Sequence, residues 1–158
     1  MLLYLLEGMR KKGYPTLSYT TEPADLPRLR SVCDWVTMDK KHFRKVLFSP
    51  RTKGAVAAID ECADSLDRHD DDDKTFATRS RRHAQLIFSV QHAADVNRTI
   101  RSQCTQVITF MQDEKDAEFL AREWGMPELR AATRLKQFEY LQATKFGKGV
   151  HRGSIKPR

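Results

Sequence analysis

The chain has 158 residues and a formal charge of +7, from 28 Lys and Arg against 21 Asp and Glu. That length suits one domain with a core of its own, and the charge favours a polyanionic partner. Cys33, Cys62 and Cys104 form no CxxC pair, which argues against a disulfide framework or a zinc site and fits a reducing cytoplasm.

The elements follow in chain order. Residues 2–12 (LLYLLEGMRKK) predict a helix with Leu2, Leu5, Leu6 and Met9 on its apolar face. No basic segment precedes this run and Glu7 interrupts it, so it does not read as a secretory leader. No apolar run in the chain approaches the ~20 residues of a membrane helix. Arg10, Lys11 and Lys12 suit the helix C-terminus, and Gly13 stops it. Residues 14–19 predict a strand with Pro15 at its start. Pro23 and Pro27 bracket a loop that enters a short helix at 26–31. Residues 35–38 predict a short strand, and Asp39 caps a helix that runs to about Leu47. A turn at 49–52 leads into Ala55-Val56-Ala57-Ala58-Ile59, a strand with the composition of one buried on both faces.

After Glu61 the run Asp70 to Asp73 reads as a mutually repelling, solvated loop, with a hard-cation site as the lesser alternative. With Lys74 it spells a protease-tag sequence, although it lies inside the chain. A basic helix is expected from Thr75 to His83. A second buried strand follows at 84–91, a short helix at 97–102 and a third core strand at 105–111. An amphipathic helix at 113–124 ends at Gly125, and Pro127 bars its continuation. A short helix near 128–133 precedes a terminal β-hairpin of strands 138–144 and 150–155. Alternation of strands and helices at this spacing predicts an α/β fold with a mainly parallel sheet flanked by helices. The expected division is a core at 1–135 and a hairpin with a basic tail at 136–158.

The chain's chemistry centres on Asp60 and Glu61, at the end of the 55–59 strand. Ligands of α/β proteins gather at the carboxyl ends of strands. Two carboxylates there suit a metal-bound phosphate, one anchoring the hydrated cation and the other taking a proton from water. A strand that simply ends in a polar turn is the competing reading.

The order of segments carries a resemblance. Val56 to Glu61 is an apolar strand closed by Asp-Glu; Arg82 to Gln91 is a strand closed by Gln; Ala94 to Cys104 leads into the strand Val107 to Phe110. Residues 1–125 resemble the P-loop ATPases of the FtsK–HerA superfamily. They look most like the genome-packaging ATPases of tailless, membrane-containing phages and the zonular-occludens-toxin-like proteins of filamentous phages. The resemblance implies a RecA/ASCE-like core that binds ATP and Mg²⁺. It makes Asp60 the Mg²⁺ anchor through water, Glu61 the general base and Gln91 the polar sensor. It offers Arg101 first, and Arg98 second, as an arginine acting across a subunit interface. It also implies double-stranded DNA as substrate and self-association into a ring, hexameric by resemblance. Capsid or membrane-vertex proteins are the further partners, and the place is the host cytoplasm or the virion.

One motif departs from the pattern: these 158 residues contain no GxxxxGK[ST] phosphate loop. The helix at 2–12 and the strand at 14–19 match the elements that follow such a loop, so the chain is expected to lack the core's first strand and P-loop. The strands at 86–91 and 107–111 would then have lost a shared neighbour and be prone to association. The alternative function is a non-catalytic, basic nucleic-acid-binding or assembly protein on the same scaffold. Its contacts would be Arg79, Arg81, Arg82, Lys148 and Arg152, although a solvated helix face and a solvated terminus explain the same charges. A metal-dependent nuclease using Asp60, Glu61 and the aspartate run lacks the spaced acid–lysine set that such chemistry needs.

Overall fold

The computed structural model describes residues 1–66, 71–80, 82–147 and 149–155. They divide into two compact units, residues 1–91 with 96–100 and residues 92–95 with 101–158.

The first unit is built on four parallel strands: β1 (Thr16–Tyr19), β2 (Trp35–Thr37), β3 (Val56–Ile59) and β4 (Gln85–Phe88), in the order β2-β1-β3-β4. Every residue of β1 and β3 is buried. Side chains alternate across a strand, and β3 shows it directly. Ala57 and Ile59 join Leu17, Tyr19, Phe43 and Leu47 on one face; Val56 and Ala58 join Leu6, Leu29 and Cys33 on the other. Two alanines at the centre leave room for helices to approach both faces. The helices α1 (Leu2–Lys11) and α2 (Leu26–Val32) supply Leu6 and Leu29 to one core, and α3 (Lys40–Leu47) supplies Phe43 and Leu47 to the other. Each such side chain, taken fully out of water, contributes about 1.5–3 kcal/mol. Asp39 caps α3 as expected, its carboxylate accepting the His42 N–H at 2.9 Å. Asp34 locks β1 to the α2–β2 turn by accepting from the Thr16 N–H (2.9 Å) and hydroxyl (3.1 Å). Burial alone would raise the Asp34 pKa, but these bonds and the Arg10 guanidinium hold it below the usual range.

A short helix α4 (Cys62–Ser65), absent from the sequence reading, turns the chain after β3. The next helix, α5 (Asp71–Ser80), corrects that reading. Its first turn is made of the aspartates expected to form a solvated loop, and Asp73 is fully buried between Lys40 (2.9 Å) and Arg44. Two physical terms favour this arrangement. Carboxylates suit the positive end of a helix, and α3 presents two cations that a buried carboxylate needs. Asp70 lies outside the described residues.

The second unit holds α7 (Glu114–Trp124), a 3-10 segment (Pro127–Arg134) and three antiparallel strands. They are β5 (Gln106–Thr109), β6 (Glu139–Thr144) and β7 (Val150–Ser154), in the order β5-β6-β7. The expected hairpin is therefore present. β5 differs from a third strand of the parallel sheet, because it pairs antiparallel with β6, Val107 opposite Ala143 and Thr109 opposite Leu141. Alternation on β6 places Leu141 and Ala143 in a core with Ala117, Leu120, Ala121, Leu129 and Ala132. The sixth described helix in chain order, α6 (Arg98–Gln103), precedes β5.

Among the described residues β4 pairs only with β3. Its Leu86, Ile87 and Phe88 are half-buried, so β4 is an apolar edge. No helix of the described residues is long and apolar enough to cross a membrane.

Candidate active site

The carboxyl ends of β1, β3 and β4 lie level. Tyr19 pairs with Ile59, and Ile59 with Phe88. The chain beyond β3 is stitched to both neighbours: the Asp60 N–H donates to the Tyr19 carbonyl (3.0 Å), and the Cys62 N–H to that of Ser89 (2.8 Å). Asp60 and Glu61 are thus fixed at the centre of the sheet's carboxyl edge, both half-buried.

Glu61 is held in the left-handed region, φ 45° and ψ 55°. An L-residue with a Cβ pays about 1–2 kcal/mol for that conformation. The surroundings enforce it. The Glu61 carbonyl accepts from the Asp64 (3.0 Å) and Ser65 (2.9 Å) N–H groups, and the Ser65 hydroxyl donates to the Asp60 carbonyl (2.7 Å). The Asp60 carboxylate accepts the Glu61 N–H at 3.2 Å. Strain of this kind, at a carboxylate on a strand end, accumulates where a side chain must be aimed.

The donor set is hard oxygen, which suits Mg²⁺. No group of three or more His, Cys, Asp or Glu side chains forms a metal cage among the described residues. A cation at Asp60 would therefore complete its shell with water and substrate oxygens, as Mg²⁺ does at phosphate sites.

Gln91 lies three residues beyond β4, in the same unit as Asp60, and is exposed. Arg98 opens α6, also in that unit, and is exposed; the Asn97 carboxamide caps the turn by accepting the Thr99 N–H at 2.7 Å. Arg101 belongs to the second unit and its guanidinium is engaged there. It donates to Glu123 (3.4 Å) and to the Ala94 carbonyl (3.2 Å), and sits 5.0 Å from the Phe119 ring centre. Arg79 and Arg82 are exposed at and after the end of α5. Arg152 is bound to Glu139 at 2.7 Å. The Glu139 carboxyl is held below its ordinary value, first by the Lys136 backbone N–H and then by Arg152. Arg81 and Lys148 lie outside the described residues. His83 packs edge-on against Phe48, ring centres 5.2 Å apart, a structural placement.

The sequence reading missed one pair. The His92 Nδ1 lies 2.5 Å from the carboxylate of Asp116, a mostly buried residue in the first turn of α7. The hydrogen bond and the charge of Asp116 raise the His92 pKa. The partners are 24 residues apart, and no local pattern joins them.

No family model matches the chain, and no curated protein matches it in sequence. Solved structures do. The genome packaging NTPase B204 of Sulfolobus turreted icosahedral virus 2, in complex with AMPPCP, superposes with a TM-score of 0.75 at 13% identity, over 97% of this chain and 88% of that one. The chain has a P-loop NTPase-like fold. The DNA-packaging ATPase B204 of Sulfolobus turreted icosahedral virus gives 0.78 at 12% identity, over 97% of this chain and 89% of that one. The N-terminal domain of zonular occludens toxin from Neisseria meningitidis gives 0.57 at 8%, over 98% and 86%. At these identities the likeness is one of fold.

Proposed function

We propose that this chain is the greater part of a DNA-packaging or DNA-translocating NTPase domain of the FtsK–HerA type. In this reading Asp60 anchors Mg²⁺ through water and Glu61 is the general base for the attacking water. The observation that carries it is Glu61 held in the left-handed conformation, one residue after the central buried strand. A polar turn without a task would carry Gly or Asn there.

ATP and Mg²⁺ are the expected ligands, double-stranded DNA the substrate and a hexameric ring the assembly. When bound, the cation supplies charge to the leaving and attacking oxygens. Gln91, beyond the neighbouring strand, would orient the attacking water. For the arginine that stabilises transition-state charge on a neighbouring subunit, Arg98 is the readier group because it is exposed. Arg101 would first have to leave Glu123, Ala94 and Phe119.

The phosphate loop would come from outside these 158 residues, upstream or on another chain. The open apolar edge of β4 supports this, because a strand carrying the loop would pair there and cover it. The test is phosphate release by the chain extended with a strand and a GxxxxGK[ST] loop, with and without duplex DNA. Glu61→Gln should abolish turnover while leaving nucleotide bound. Equal turnover by Glu61→Gln would refute the assignment. DNA binding without any turnover, in an extended protein that binds Mg-ATP, would favour the non-catalytic nucleic-acid-binding reading, for which the charge of +7 is the warrant.

A further inference from the structure

The hairpin between β6 and β7 has a firmly built base and an unprotected tip. Its base is anchored through Lys145. The Lys145 N–H donates to the Thr105 carbonyl at 2.9 Å. The ammonium reaches the carbonyls of Arg101 (3.4 Å) and Ser102 (2.5 Å) and lies 5.5 Å from the Trp124 ring centre. Two glycines shape the turn. Gly149 has φ +81°, and a Cβ at Gly147 would lie 1.9 Å from the Thr144 hydroxyl oxygen. Between them and Lys145 stands Phe146, 92% exposed. No other large apolar side chain of the described residues is as exposed, Met111 coming next at 66%.

The surrounding charge is of one sign. From Tyr140 to Arg158 the sequence contains no Asp or Glu, but it has Lys145, Lys148, Arg152, Lys156 and Arg158. An anchored turn that offers one aromatic face among cations suits a ligand with π-faces and phosphates. Single-stranded nucleic acid has both, and base–aromatic stacking needs no particular sequence. A lone Phe is too small an apolar area to hold the tip in a membrane, and a protein partner would have to be acidic around an aromatic pocket.

We propose that the tip at 145–149 is a nucleic-acid contact in which Phe146 stacks on an unpaired base while the neighbouring cations neutralise phosphates. This deepens the packaging reading by giving the motor a grip on unpaired or frayed DNA. It needs no nucleotide hydrolysis, so it is tested separately from the catalytic assignment.

The experiment is fluorescence anisotropy of the full chain, without nucleotide, on a labelled single-stranded oligonucleotide and on the corresponding blunt duplex, at several salt concentrations. Phe146→Ala should weaken single-strand binding at least five-fold and leave both duplex affinity and the salt slope near wild type. Phe146→Trp should retain or strengthen single-strand binding. Lys148→Ala should instead reduce the salt slope on both probes. Phe146 is on the surface, so circular dichroism should confirm that the variants keep the fold. Equal single-strand affinity for wild type and Phe146→Ala overturns the proposal. So does an equal loss on the duplex, or a loss confined to anionic phospholipid vesicles run as a parallel probe.

Discussion

Replacing Glu61 with Gly should make the protein more stable and catalytically dead. At φ 45° and ψ 55° the Cβ of Glu61 crowds the backbone, a cost of about 1–2 kcal/mol that glycine escapes. Glycine returns part of this through its freer unfolded chain, about 0.5–1 kcal/mol. The net gain is about 0.5–1 kcal/mol, or about 1–4 °C in Tm for a chain of this size. Glu61→Ala is the reference, since it removes the same carboxylate but keeps the Cβ. Differential scanning calorimetry of the two variants isolates the backbone contribution. Glu61→Gly should melt above Glu61→Ala, and neither should support hydrolysis in the loop-extended protein. A glycine variant that melts below the alanine variant would refute the claim that stability is given up here to aim a carboxylate.

Other consequences follow from buried or paired groups. Asp73→Ala strands the partly solvated Lys40 and Arg44 beside a vacated buried site, and should cost about 2–4 kcal/mol by urea denaturation, below the fully buried case. The His92 pKa, followed by NMR, should lie above its ordinary value and fall back in Asp116→Asn. Because the folded pKa is raised, this pair's stabilisation is complete below about pH 6.5. It fades as pH rises through the folded value, and Asp116→Asn should flatten that part of the stability profile. Burial pushes the Cys33 thiol up to about 12. Cys33 should therefore resist a thiol reagent at pH 8 in the native protein and react at once in denaturant.

The parallel sheet and its acidic edge were legible because β3 is short, continuously apolar and closed by Asp60-Glu61, a local pattern. The hairpin was legible from two alternating runs around a glycine-rich turn. The partner of β5 was not. Val107 and Ile108 suit a parallel or an antiparallel neighbour alike, and the choice rests on Leu141 and Ala143, more than thirty residues on. The aspartate run was misread because like charges in sequence suggest a solvated loop, whereas Lys40 and Arg44, which take up Asp73, belong to another helix. The left-handed Glu61 carries no sequence signal, since glutamate is not a residue expected there. The engagement of Arg101 with Phe119 and Glu123 is likewise tertiary, and it changes which arginine is ready to act.

Nucleotide binding at Asp60 tests the central claim most directly. A fluorescent ATP analogue would be titrated with Mg²⁺ into the chain as it stands, into the loop-extended chain, and into the extended chain carrying Asp60→Ala. The account predicts no saturation below millimolar nucleotide for the chain alone. It predicts saturable, Mg²⁺-dependent binding for the extended protein, lost in Asp60→Ala. Binding by the folded, extended protein that is indifferent to Asp60 and to Mg²⁺ would contradict it.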